Sequence, residues 1–122
     1  MRVKKILVID DEEDFCRSIK KVLERKKIFR VLTANRGSEG IRLAKMTNPD
    51  VILLDIMMPD MAGTSVAEKL MDDPVACNIP IIFVTGIISK EDIKESGGVS
   101  GGRSFIAKPV IIDELIQRIS EM

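Results

Sequence analysis

The chain predicts an α/β fold in which a parallel sheet is covered by helices on both faces. Three observations predict it. Short, near-continuous apolar runs at Ile6 to Ile9, Val51 to Leu54 and Ile81 to Val84 suit strands buried on both sides. Segments between them carry apolar residues at helical spacing. The two patterns alternate five times along 122 residues, which is how a doubly covered sheet reads as a sequence.

The first strand, Ile6-Leu7-Val8-Ile9, stops at Asp10-Asp11. From Asp14 the period changes: Phe15, Ile19, Val22 and Leu23 fall at i, i+4, i+7 and i+8, with Lys20, Lys21, Glu24 and Arg25 among them. Acids open this helix, and Arg25, Lys26 and Lys27 close it, as the macrodipole favours. Phe29 to Ala34 reads as the second strand. Ser38 to Met46 reads as the second helix, with Ile41, Leu43 and Ala44 on its apolar side and Asn48-Pro49 as its stop. Val51 to Leu54 is the third strand, Thr64 to Met71 a helix with Val66, Ala67 and Leu70 inward, and Ile81 to Val84 the fourth strand. Ser89-Lys90-Glu91-Asp92 has the form of a capping box opening a fourth helix. Ser104 to Ala107 is a short fifth strand, and Ile112, Leu115, Ile116 and Ile119 stripe the last helix. With right-handed crossovers the simplest topology is flavodoxin-like: a doubly wound five-stranded parallel sheet, order 2-1-3-4-5, with five helices.

Composition narrows the function. A chain of this length fits one domain, and 45% hydrophobic with 31% charged residues is a globular composition. Lys plus Arg and Asp plus Glu both number 19, so no net field favours nucleic acid or an anionic membrane. With no histidine, Ser/His and Cys/His catalytic pairs and His-ligated zinc are excluded. Cys16 and Cys77 lie in no metal or redox motif and read as free thiols. The opening MRVKKILVIDDEE turns acidic after a run too short for a signal peptide or a membrane span, which places the expected protein in the cytoplasm.

In such a fold ligands sit at the carboxyl ends of the strands. There the sequence puts Asp10 and Asp11, then Asp55, then Thr85, and Lys108 after the fifth strand. Three crowded carboxylates repel by about 3 kcal/mol per pair at about 5 Å and an effective dielectric near 20. A hard divalent cation answers that charge, and Mg²⁺ prefers a few carboxylates plus water and phosphate oxygens to a full protein cage. Lys108 adds a positive charge and Thr85 a hydroxyl for phosphate oxygens.

The segments VIDDEED, LLDIMMPDMAG, VTG and FIAKP resemble the signature of response-regulator receiver domains, the phospho-acceptor modules of bacterial two-component signalling, over essentially the whole chain. By that resemblance Asp55 is the phosphorylated aspartate. Asp11 and Asp55 ligate Mg²⁺, or Mn²⁺ in its place, with the backbone carbonyl of Met57, and Asp10 acts on the metal mainly through water. Thr85 and Lys108 hold the phosphoryl group, and Phe105 is an aromatic switch. The Lys108-Pro109 bond is cis. The implied partners are a histidine kinase or phosphotransferase, docking in part through Phe15, Cys16, Ser18 and Ile19, and a downstream effector or output domain. The signalling face is the fourth helix, fifth strand and fifth helix; whether phosphorylation also pairs two copies there is left open. Residues 1–122 read as one receiver domain without an output domain. The rival is a receiver-shaped interaction module that never carries phosphate, which the intact acids, Thr85 and Lys108 oppose. A haloacid-dehalogenase-type phosphatase would need an acid where Met57 stands, and a flavin carrier would need a phosphate loop where DDEED stands.

Departures from the family pattern carry further expectations. Gly40 stands where the second helix usually has Ala and weakens it. SGGVSGG, Ser96 to Gly102, reads as a glycine-rich loop after an early end of the fourth helix, with Gly102 and Ser104 replacing the usual Ala and acid. Met57 and Ile87, each two residues past a site residue, are apolar and cannot orient a hydrolytic water, so self-dephosphorylation is expected to be slow.

Overall fold

The computed structural model describes residues 3–86, 99–100 and 103–122. Its strands are β1 (Lys4–Ile9), β2 (Phe29–Ala34), β3 (Val51–Leu54), β4 (Ile81–Thr85), β5 (Val99–Ser100) and β6 (Arg103–Ala107). The helices among the described residues are α1 (Glu13–Glu24), α2 (Gly37–Thr47), α3 (Gly63–Met71) and α4 (Ile112–Ser120). The helix predicted to open at Ser89 lies outside the described residues.

Sheet order is β2-β1-β3-β4-β6-β5. The first five of these strands are mutually parallel, so the predicted order 2-1-3-4-5 is the observed one, with β6 as the fifth parallel strand. One element differs. Val99 and Ser100 form a two-residue antiparallel edge strand against Ser104 and Arg103, inside the stretch expected to be loop. The periodicity rules do not register two residues, but the pair Gly101-Gly102 between the paired ends is a known hairpin signature.

Side chains along each strand alternate between two cores. Ile6, Val8, Val51, Leu53, Ile82, Val84 and Ile106 pack with Cys16, Ile19 and Leu23 of α1 and Leu115 and Ile119 of α4. Leu7, Ile9, Ile52, Leu54 and Phe83 pack on the opposite side with Ala44 of α2 and Val66, Ala67 and Leu70 of α3. Both faces of the central strands are thereby dry, which is why those strands carry no polar alternation, whereas β2 at the sheet edge keeps Arg30 exposed.

Two local findings correct or explain the sequence. Gly40 is explained by packing: a Cβ there would lie 2.5 Å from Ile9 Cδ1, so α2 sits close against β1 and any larger residue would make the Ile9 side chain shift. Helix propensity yields to that contact. Asn48 closes α2 in the left-handed conformation, φ 46°, with its N–H donating to the Ala44 carbonyl at 3.1 Å.

Candidate functional site

The sheet ladder runs one residue past the strand ends and so fixes the backbone of the site. Asp10 N–H donates to the Ala34 carbonyl, Asp55 N–H to the Ile9 carbonyl and Lys108 N–H to the Thr85 carbonyl, each at 3.0 Å. Asp10 is held further by Asn35 Nδ2 and Cys16 Sγ, which donate to its carbonyl at 3.0 and 3.4 Å. The Lys108–Pro109 peptide is cis.

Three strand-end acids converge. Carboxylate oxygens of Asp10, Asp11 and Asp55 lie within 4.8 Å of one another, with Asp10 and Asp55 buried and Asp11 more open to solvent. Asp10 Oδ1 accepts from Glu12 N–H and Asp55 Oδ1 from Ile56 N–H, both at 2.9 Å. Lys108 Nζ stands 2.8 Å from Asp10 Oδ2 and 3.8 Å from Asp55 Oδ2. The former is an ion pair without hydrogen-bond alignment, and Asp10 Oδ2 is otherwise without a donor among the described residues.

Electrostatics follow from burial. Desolvation, reinforced by the Asp10 charge, pushes the Asp55 carboxyl up to about 6 against the opposing pull of Lys108. Burial likewise raises Asp10, although Lys108 and the Glu12 N–H work against it. For Lys108 burial works to lower the ammonium, and its contacts with Asp10 and Glu12 outweigh it, leaving it raised. Cys16, desolvated behind Asp10, is pushed up to about 12 and is an inert thiol.

The predicted residues fall in four groups. Asp10, Asp11, Asp55 and Lys108 meet directly. Thr85 is buried at the end of β4, where its carbonyl receives the Lys108 N–H. Phe105 is half-buried one strand over, its ring stacked on Phe83 at 5.2 Å. Met57, 64% exposed, stands on the loop after Asp55, and Ile87 lies outside the described residues.

Sequence reasoning missed Gly63 and Asp60. A Cβ on Gly63 would come within 2.1 Å of the Asp55 carbonyl, and the Gly63 N–H donates to Ile56 O at 2.7 Å, so this glycine lets α3 start against the Asp55 peptide. Its signal was the glycine opening a helix. The Asp60 carboxylate, from the same loop, accepts from Gly37 and Ser38 N–H at 3.0 and 3.2 Å and so caps α2 from outside that helix. These bonds, Gly37 first, lower its pKa. Local capping rules look only at the adjoining residue, Arg36, and cannot find it.

The donor set fits a hard cation. It is all oxygen, its acids outnumber the one lysine between them, and the buried Asp10 Oδ2, though ion-paired with Lys108, makes no aligned hydrogen bond among the described residues.

Comparison with known proteins agrees with this reading of the fold. A family model described as the response regulator receiver domain matches residues 6–120. The chain is 36% identical over 118 residues to the response regulator PleD of Caulobacter vibrioides, covering 97% of this chain but 26% of PleD. Protein PilH of Pseudomonas aeruginosa is 34% identical over 116 residues, 95% of this chain and 94% of PilH. Among solved structures, the receiver domain of the Francisella response regulator 1452 superposes with a TM-score of 0.79 at 33% identity, covering 97% of this chain and 94% of that one. Vibrio cholerae chemotaxis protein CheY4 gives 0.81 at 25% identity, covering 98% of both chains. A doubly covered parallel sheet, acids at its strand ends and a match across nearly its whole length establish that this chain belongs to the response regulator receiver domain family.

Proposed function

We propose that the chain accepts a phosphoryl group on Asp55 and relays that event to a partner within two-component signalling. The observation that carries this reading is the meeting of Asp55 with Asp10, Asp11 and Lys108 at the strand ends. An Asp55 carboxylate oxygen attacks phosphorus, a P–O bond forms, and the donor's P–N or P–O bond breaks with its electron pair leaving on the donor. The rest is positioning and charge neutralisation on the equatorial oxygens. Asp10, Asp11 and Asp55, with the Met57 carbonyl, are the residues that would hold Mg²⁺, whose charge neutralises phosphate oxygens when it is bound. Lys108 and Thr85 bind the transferred group. Phe105, stacked on Phe83, is the aromatic switch on the output face.

The donor is a histidine kinase or phosphotransferase. The groove lined by Phe15, Ser18, Ile19, Val22 and Pro109 opens beside Lys108 and suits an apolar helix face of that donor. An effector protein or output domain reads the phosphorylated form, and the cytoplasm is the compartment; no described helix is long and apolar enough to cross a membrane.

Intact-mass spectrometry after incubation with acetyl phosphate, with and without Mg²⁺, tests the reading. One added phosphoryl group that needs both Mg²⁺ and Asp55, and that Asp55→Asn abolishes, is the expected result. No adduct under any condition would favour a phosphate-independent interaction module instead.

A further inference from the structure

Lys108 has two neighbours that phosphoryl binding alone does not require. Its Nζ lies 2.8 Å from Glu12 Oε1, the same distance as from Asp10 Oδ2, and 4.4 Å above the centroid of the Phe15 ring. Asp55 Oδ2, at 3.8 Å, is beyond hydrogen-bond reach. An ammonium has three donors. One donates to Glu12, the ammonium as a whole pairs with Asp10 rather than with the acid to be phosphorylated, and the aromatic face supports the charge from a third side.

From this geometry we propose that Glu12 and Phe15 are positioning residues: together with Asp10 they form a resting seat for the Lys108 ammonium, and Glu12 competes with the phosphoryl group for it. The two acids of the seat are unequal. Asp10 is 1% exposed, whereas the Glu12 side chain is 63% exposed. An exposed pair is weak and readily exchanged, a buried one is not. Glu12 is therefore the contact that yields when negative charge arrives on Asp55, while the Phe15 face keeps the ammonium over the site during the exchange. The proposal rests on the phospho-acceptor reading above and adds a residue that sets how readily the lysine is delivered.

Glu12→Gln keeps the size of the side chain and removes its charge. The maximal rate of phosphorylation by saturating acetyl phosphate should rise about two- to fivefold, the range an exposed ion pair spans. Raising the salt should speed the wild type and leave the variant flat, since the pair is screened. A plain loss of repulsion toward the anionic donor would lower KM instead. Glu12→Asp separates the two further, because it keeps the charge but draws the carboxylate back: it should behave like Glu12→Gln if the contact matters and like the wild type if only bulk charge does. Phe15→Leu should slow the maximal rate by about two- to fivefold, and Phe15→Tyr should restore it.

The seat itself is read without phosphate, by NMR of the Lys108 ε-methylene protons. They should be shifted upfield by the Phe15 ring in the wild type, lose that shift in Phe15→Leu, and move in Glu12→Gln. An unshifted resonance in the wild type, or one that both variants leave in place, would overturn the seat even if Asp55 is phosphorylated. A shifted resonance with no phosphoryl adduct would leave the seat intact and refute the phospho-acceptor reading. Equal maximal rates in wild type, Glu12→Gln and Glu12→Asp would overturn the competition.

Discussion

Asp55 is strained by its own surroundings. Burial and the Asp10 charge hold its carboxyl at about 6, above its ordinary 3.8, so the folded chain grips that proton more tightly than the unfolded chain does. Stability contributed by Asp55 is thus present at low pH and is lost as pH rises through about 6. In chelator, thermal melts should show a midpoint that falls from about pH 4 to about pH 7, with part of the fall remaining in Asp55→Asn because Asp10 is raised as well. At neutral pH without metal, Asp55→Asn should be more stable than the wild type by about 2 kcal/mol, and Mg²⁺ should narrow the gap by stabilising only the wild type. A variant no more stable than the wild type would contradict this account. Gly63 belongs to the same scale. Gly63→Ala gains helix propensity of about 1 kcal/mol, yet its methyl would meet the Asp55 carbonyl at 2.1 Å. The clash should win, with a net loss of about 1 to 3 kcal/mol in urea unfolding. Asp10, Asp11, Asp55 and Lys108 were legible because they end strands. Glu12 was not, because its partner Lys108 lies 96 residues away, and Gly63 was not, because its role depends on how the loop after Asp55 folds back on that peptide.

Among elements, α1 does more than bury its apolar stripe. Its basic run reads in the sequence as a solvated face, and most of it is exposed. Lys20 is an exception in its bonding: its Nζ donates to the Val31 carbonyl, while Glu24 Oε2 accepts from the Val31 N–H, both at 3.1 Å. Val31 lies on β2, the outer strand of the sheet, so α1 closes part of an edge that would otherwise offer backbone groups to another chain. Replacing Lys20 and Glu24 together with alanine should cost about 1 to 2 kcal/mol. It should also make the protein associate as its concentration rises, measurable by light scattering; a variant that stays monomeric across the range would show that the edge is protected by other means. The described helices were predicted to within a residue or so because apolar spacing marks them. Their caps were not, since Asp60 serves α2 from a distant loop.

At the scale of the molecule, the predicted topology holds because each strand must fill two cores at once, and only apolar runs do so. Leu53 and Leu54 illustrate it, adjacent in sequence and committed to opposite cores. The strand β5 escaped prediction because its two residues carry too short a pattern to be read as a strand. The continuation of the ladder beyond the strands has a further consequence. Asp10, Asp55 and Lys108 each depend on a neighbouring strand for their place, and Lys108 meets Glu12 across 96 residues of sequence. During synthesis the acids emerge early and their cation last. The counter-charge of the acidic cleft therefore arrives only once β6 has paired with β4, so the assembled site exists only in the completely folded chain.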